Sequence, residues 1–166
     1  MSLLAEGYKD LDWKKLKKMY LEDYREFLPD HIFNFLKDTS LVSRNLLESM
    51  ENVELGVKDD PKIKFSISLV PRALYKLSQV FGFPELRIAG DLKSWFCYVF
   101  LYKGHLISVS DYGGALEIQH LTPHTGEYKK PPKEGAKEVT QEFAENLLKF
   151  IITPTPLNLA DTLTFL

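Results

Sequence analysis

The chain has 166 residues and a formal net charge of −2 at pH 7, with 45% hydrophobic and 13% aromatic residues. This composition is typical of a folded globular domain and argues against a disordered, collagen-like or disulfide-rich protein. The small negative charge gives no overall attraction to nucleic acid. We therefore expect one domain over residues 1–166 that folds without a disulfide or a metal.

The first part of the chain predicts helices. Apolar residues recur at helical spacing over residues 11–28, with Asp10 as the expected N-cap. A short second helix is expected after Pro29, which ends the first. Ser40 is expected to open a third helix, so that residues 10–51 are helical.

Residues 52–122 change to the alternating pattern of an antiparallel sheet. Residues 52–58 and 62–70 predict the two strands of a hairpin, joined by a turn that contains Pro61. A helix near 71–81 follows. Further strands are expected near 85–90 and at 94–102, 105–112 and 115–122.

The C-terminal part of the chain is expected to contain a loop at 123–137 and then a helix with an apolar tail within 138–166. Because large apolar side chains are costly to leave in water, we expect the tail to dock on its own domain or on a second copy. The complete order is N-terminal helices, a β-hairpin, a helix, an antiparallel β-meander and a C-terminal helix. It predicts an α+β domain in which helices pack on one sheet.

An aromatic row in the strand 94–102 raises the question of a ligand site. A two-residue turn at Lys103 and Gly104 pairs Phe100 with Ile107 and buries the row in an apolar core. A three-residue turn with a bulge needs a positive φ only at Gly104, and turn chemistry favours it. Even so, the interpretation of the row as core is favoured, because the predicted helices must pack somewhere.

The bulged register would also join the row to polar side chains of the next two strands. The resulting candidate ligand-binding surface consists of Phe96, Tyr98, Phe100, Ser108, Ser110, Glu117 and Gln119. It is the leading candidate for a binding site, and no residue of the chain is identified as catalytic.

Histidines provide an alternative site. His105 and His120 are expected to be diagonal neighbours on adjacent strands of the predicted sheet. His124 follows in the next loop. Asp111 lies at the far end of its strand and cannot complete a metal triad with them. The alternative function is thus a small metal-dependent or histidine-based hydrolase, while the absence of a third well-placed ligand predicts no bound metal and no cofactor.

The loop 123–137 carries a local excess of lysine. Lys129, Lys130, Lys133 and Lys137 outnumber Glu127 and Glu134, and Tyr128 lies among them. Such a loop could contact an acidic partner or a nucleic-acid backbone, but a mobile solvated loop is the favoured interpretation.

The function that the sequence favours is a non-enzymatic binding or protein-interaction module, with self-association as one form of it. Nucleic-acid binding is the less favoured alternative. The single Cys97 lies in an apolar segment, and neither a signal peptide nor a bilayer-spanning run is recognisable, so we expect a cytoplasmic protein. The preference for lysine over arginine leans weakly toward a thermophilic source.

Overall fold

The computed structural model describes residues 12–42, 50, 52–88 and 94–154, and it shows an α+β fold. Four α-helices lie within these residues: α1 (Trp13–Tyr24), α2 (Asp30–Asp38), α3 (Val70–Phe81) and α4 (Ala136–Ile152). Single 3-10 turns follow α1 and precede α3. None of the helices in the described part of the chain is long and apolar enough to cross a membrane.

Eight strands follow the order of the chain. They are β1 (Thr39–Val42), β2 (Glu54–Leu55), β3 (Lys62–Phe65), β4 (Glu85–Ile88), β5 (Ser94–Tyr102), β6 (His105–Ser110), β7 (Leu116–His120) and β8 (Pro123–His124). Six of them form an antiparallel sheet in the order β1-β5-β6-β7-β3, and β4 pairs with β5 on the same edge as β1. The strands β2 and β8 form a separate two-stranded sheet.

The helix ends follow from local chemistry. The carboxylate of Asp12 accepts the backbone N–H of Lys14 at 2.9 Å, so Asp12 caps α1 in place of the expected Asp10, which lies outside the described residues. Pro71 occupies the first turn of α3, where its missing N–H costs nothing. Gly82 ends that helix with a φ of 81°. The helix predicted near 71–81 is therefore confirmed.

The segment after α2 is a strand, and the third helix expected from Ser40 is wrong over 39–42. The Thr39 hydroxyl donates to the carbonyl of Phe35 at 2.6 Å and so closes α2. The chain then pairs with β5, with Thr39 opposite Tyr102. Because an edge of β5 is available here, sheet pairing overrides the helical spacing. Residues 43–49 lie outside the described residues.

The hairpin predicted over 52–70 does not form. β3 pairs with β7, and β2 pairs with β8 in the small sheet. The segment of the expected turn instead connects a strand of the small sheet with a strand of the large sheet. The side chain of Asp60 in this segment points inward and accepts the backbone N–H of Thr122, between β7 and β8. The return strand also ends at Phe65, where a 3-10 turn leads into α3.

The hairpin between β5 and β6 has the two-residue turn, so the bulged register is wrong. Tyr98 lies opposite Val109, and Phe100 lies opposite Ile107. Lys103 and Gly104 have φ values of 50° and 79°, as a type I′ turn requires. The burial of a complete aromatic row in this register outweighs the backbone strain of about 1 kcal/mol at Lys103.

That row forms the centre of the main core. The rings of Tyr98 and Phe100 stack with centroids 5.5 Å apart, and Phe100 also contacts Phe81 of α3 and Phe143 of α4. All four helices contribute buried side chains to this core, so the helices cover one face of the sheet. The favoured interpretation of the aromatic row as core is confirmed.

The opposite face of the sheet carries a smaller apolar cluster. Cys97 and Val99 of β5 pack there with Leu121, and the partly buried Leu55 of β2 contacts the same cluster. The small β2–β8 sheet thus lies against this face. Cys97 is a buried thiol, as its apolar surroundings in the sequence predicted.

Neighbouring positions on β5 allow a test of these faces. Phe100 is fully buried, whereas Leu101 on the opposite face is 40% exposed. We expect Phe100→Ala to lower the free energy of unfolding by about 3–5 kcal/mol and Leu101→Ala by less than about 1 kcal/mol. Urea denaturation of both variants measures this, and equal losses would contradict the assignment of the two faces.

Candidate functional site

A buried cluster of polar side chains joins three segments at one end of the large sheet. Nδ1 of His120 lies 2.9 Å from Oδ1 of Asp60, and Nε2 of His120 lies 2.8 Å from Nδ1 of His105. The Thr122 hydroxyl donates to the same Oδ1 at 2.6 Å. We call these four residues, Asp60, His105, His120 and Thr122, the hub.

The carboxylate of Asp60 accepts hydrogen bonds from four directions. Beside His120 and the Thr122 hydroxyl, the backbone N–H groups of Val57 and Thr122 donate to Oδ2 at 2.8 and 2.9 Å. Burial alone would raise the pKa of Asp60, but the bonds from His120, Thr122 and Val57 outweigh it and leave the pKa below its ordinary value. Asp60 is therefore a carboxylate although its side chain is fully buried.

The ionised carboxylate determines where the protons of the hub lie. Because Asp60 can only accept, Nδ1 of His120 carries a hydrogen and donates it. In a neutral His120 the second nitrogen, Nε2, is then an acceptor, and Nδ1 of His105 donates to it. The order of donation runs from His105 through His120 to Asp60, and it leaves Nε2 of His105 as the outer, basic nitrogen.

That outer nitrogen lies close to Gly135, so the ring of His105 lies beneath the backbone just before α4. The pKa of His105 is lowered by burial first and then by the charges of Lys133 and of His120. Nζ of Lys133 donates to the carbonyl of Gly104, immediately before His105.

The hub also anchors the loop that leads into α4. The Thr122 hydroxyl accepts the backbone N–H of Lys133 at 3.0 Å, and the carbonyl of Tyr128 accepts the N–H of Lys58 at 2.9 Å. A third bond joins the N–H of Lys130 to the carbonyl of Glu127. Residues 125–135, which lack regular secondary structure, are thus fastened to the rest of the fold at Tyr128 and at Lys133, with a turn of their own between Glu127 and Lys130. We call this segment the anchored loop.

The residues of the candidate ligand-binding surface predicted from the bulged register lie on two opposite faces of the sheet. Phe96, Tyr98 and Phe100 face the helices. The polar members lie on the other face, where Ser108 pairs with Gln119 and Ser110 with Glu117. The aromatic and polar residues do not form one surface because the hairpin has no bulge.

The alternative histidine site is brought together only in part. His105 and His120 are in direct contact, whereas His124 belongs to the small sheet, with Nε2 lying 3.9 Å from Glu54. Asp111 instead accepts the N–H of Phe96 at the far end of β6. Among the described residues, no three His, Cys, Asp or Glu side chains are arranged to hold a metal ion. The two histidines bond to each other and not to a common centre.

Sequence reasoning missed the acidic member of this cluster. Asp60 stands directly before Pro61 and is typical of a turn, and its partners His120 and Thr122 are 60 and 62 residues away. The available signal was the pair His120 and Thr122 at the end of a strand, since polar side chains there must find partners when buried. In comparisons with known proteins, no family model, curated protein or solved structure matches the chain.

The importance of the hub can be measured with two adjacent aspartates. In Asp60→Asn an amide NH₂ replaces one acceptor oxygen and faces groups that themselves donate, so we expect a loss of about 3 kcal/mol in the free energy of unfolding. The matched control is Asp59→Asn, because Asp59 is exposed and should change stability by less than about 0.5 kcal/mol.

The difference between wild type and Asp60→Asn should also depend on pH. A carboxyl group whose pKa is lowered by folding stabilises the native state above its ordinary pKa of 3.8. That contribution is lost as the pH falls through the folded-state pKa. Urea titrations should therefore show the full difference at neutral pH and a smaller one below about pH 4. A difference under about 1 kcal/mol at neutral pH would contradict the assigned role of Asp60.

Proposed function

We propose that this chain is a non-enzymatic protein-interaction module whose contact surface is the anchored loop, with Tyr128 at its centre. The observation that carries the proposal is the combination of a fastened backbone and exposed side chains. The loop backbone is bonded to Lys58 and Thr122, while the Tyr128 side chain is 59% exposed. A loop that is already ordered loses little conformational entropy on binding.

The side chains of the loop support this proposal. Tyrosine is enriched among residues that dominate binding energy, because it buries a large rigid ring and keeps one hydrogen-bonding group. Tyr128 is followed by Lys129 and Lys130, which are also exposed. Two prolines come next, and proline restricts the unbound loop further.

The charges of the anchored loop indicate which chemical groups its partner carries. Lys129, Lys130 and Lys133 of the loop outnumber Glu127 and Glu134. A protein surface with carboxylate groups therefore complements the loop. A second copy of the chain is one such partner, since its formal net charge is negative. Nucleic acid is less favoured because so few lysines would neutralise only a few phosphates.

The proposal can be tested by replacing Tyr128 with a photo-cross-linking phenylalanine derivative in cells. We expect cross-linked protein from this position and none from the same replacement at Tyr112. Tyr112 is a matched control because it is 54% exposed and follows β6 at the opposite end of the sheet. Two cross-linked copies of the chain would identify self-association.

The cross-linked partner is then purified and titrated calorimetrically. Tyr128→Ala should weaken the dissociation constant at least about tenfold, the loss typical of a central interface residue, and Tyr112→Ala by less than about twofold. Equal effects of the two variants would contradict the proposal. So would cross-linking of nucleic acid in place of protein.

A further inference from the structure

We propose that the hub is a pH-sensitive latch that holds the anchored loop at neutral pH and releases it when both His105 and His120 are protonated. The inference rests on the proposed function in one respect, namely that the anchored loop is the contact surface. It adds a means of regulation, because release of the loop would withdraw Tyr128 from its fixed position.

The bond between the two histidines needs one hydrogen and one lone pair. Nδ1 of His105 and Nε2 of His120 lie 2.8 Å apart. With no added proton, His105 donates to His120. One added proton is still accommodated, since Nε2 of His105 can take it while Nδ1 of His105 continues to donate to Nε2 of His120.

A second added proton cannot be accommodated. Both facing nitrogens would then carry hydrogen, and two donors at this distance repel each other. Two positive rings would also lie in contact, with their centroids 5.1 Å apart, and within the described part of the chain Asp60 is the one carboxylate bonded to the pair. The closed hub therefore holds at most one added proton, whereas an open hub can take two.

The charged groups around the hub also disfavour a second added proton. Lys133 on the loop side lowers the pKa of His105, after the larger effect of burial. On the sheet side, His105 pairs with Tyr102, whose own pKa is raised by burial, so this ring supplies no negative charge. Beyond Tyr102, Lys103 and Glu142 neutralise each other at 2.6 Å. The carboxylate of Asp60 is already bonded to His120.

The direction of the pH effect follows from proton counting. A histidine whose pKa is lowered in the closed state takes up its proton more readily after release. The closed state is therefore fully stable above the ordinary histidine pKa of 6.5 and becomes less stable as the pH falls below it. For a difference of one proton, the opening constant rises up to about tenfold per pH unit. Asp60 titrates below its ordinary pKa of 3.8, in a separate and more acidic range.

Opening of the hub acts directly on the loop. His105 lies beneath Gly135, and Thr122, which bonds to both Asp60 and His120, accepts the N–H of Lys133. In the open state His105 is separated from His120 and moves toward the backbone of Gly135, which lies against its ring. The end of the anchored loop that leads into α4 is then displaced first.

Amide hydrogen exchange measures this release in the purified protein without any partner. After correction for the pH dependence of intrinsic exchange, we expect protection of the Lys133 amide to fall up to about tenfold per pH unit from about pH 6.5 to 5. The amide of Leu28, which bonds to Tyr24 at the end of α1, is the internal control and should keep its protection. Constant protection of Lys133 over this range would overturn the proposal.

Histidine variants identify the responsible group. His105→Asn keeps a side-chain donor at the position of Nδ1 but cannot become charged, so protection of Lys133 should persist to about pH 5. His31→Gln and His124→Gln change the other two histidines of the chain and should behave as wild type. The same loss of protection in His105→Asn as in wild type would overturn the proposal.

A second measurement applies even if His105→Asn does not fold. An NMR titration of the wild-type protein should give two separate histidine protonation steps for the hub, with the Lys133 amide shift following the more acidic step. An amide shift that follows neither step would overturn the proposal. Both experiments are independent of a partner, so a failed cross-linking test at Tyr128 would refute the interaction surface while leaving the pH-sensitive latch intact.

Discussion

The buried carboxylate of Asp60 is the constraint on which the loop end of this protein depends. Removing a carboxylate from water is costly unless its lone pairs are satisfied, and here four donors from Val57, His120 and Thr122 satisfy them. These donors belong to a turn before β3 and to the junction between β7 and β8. The carboxylate therefore does more than stabilise one contact, because it joins the two sheets and, through Thr122, fastens the end of the anchored loop that leads into α4.

The aromatic core supplies the framework that makes this arrangement rigid. Phe100 and Tyr98 connect the sheet with α3 and α4, and α4 starts directly after Gly135, above His105. A core of this size permits one strained residue, Lys103, in the turn that precedes His105. The aromatic core and the hub thus meet at the start of α4. The anchored loop, which leads into α4, is bonded to the hub through Lys133. This is the physical basis for treating the loop as a preformed surface.

The sequence pattern predicted those features that depend only on residues close together in the chain. The alternation in β5 placed Phe96, Tyr98 and Phe100 together, and the helix near 71–81 was predicted from its own residues, because these features need no distant partner. The strand at Thr39, the pairing of β3 and the role of Asp60 were not predictable in this way. Each depends on a partner about 60 residues away, namely Tyr102, Ile118 and His120. The two histidines were expected to be diagonal neighbours, because the second hairpin alone places them, and they are in direct contact.

The central claim is that Asp60, His120 and His105 form one continuous line of hydrogen bonds, and ¹⁵N NMR of the histidine rings tests it most directly. At neutral pH, Nδ1 of His120 should be protonated and its Nε2 unprotonated, with a coupling across the hydrogen bond to Nδ1 of His105. In Asp60→Asn this coupling should weaken or disappear, because the tautomer of His120 is no longer set by a carboxylate. Two rings that exchange freely between tautomers and show no mutual coupling in the wild-type protein would contradict the account.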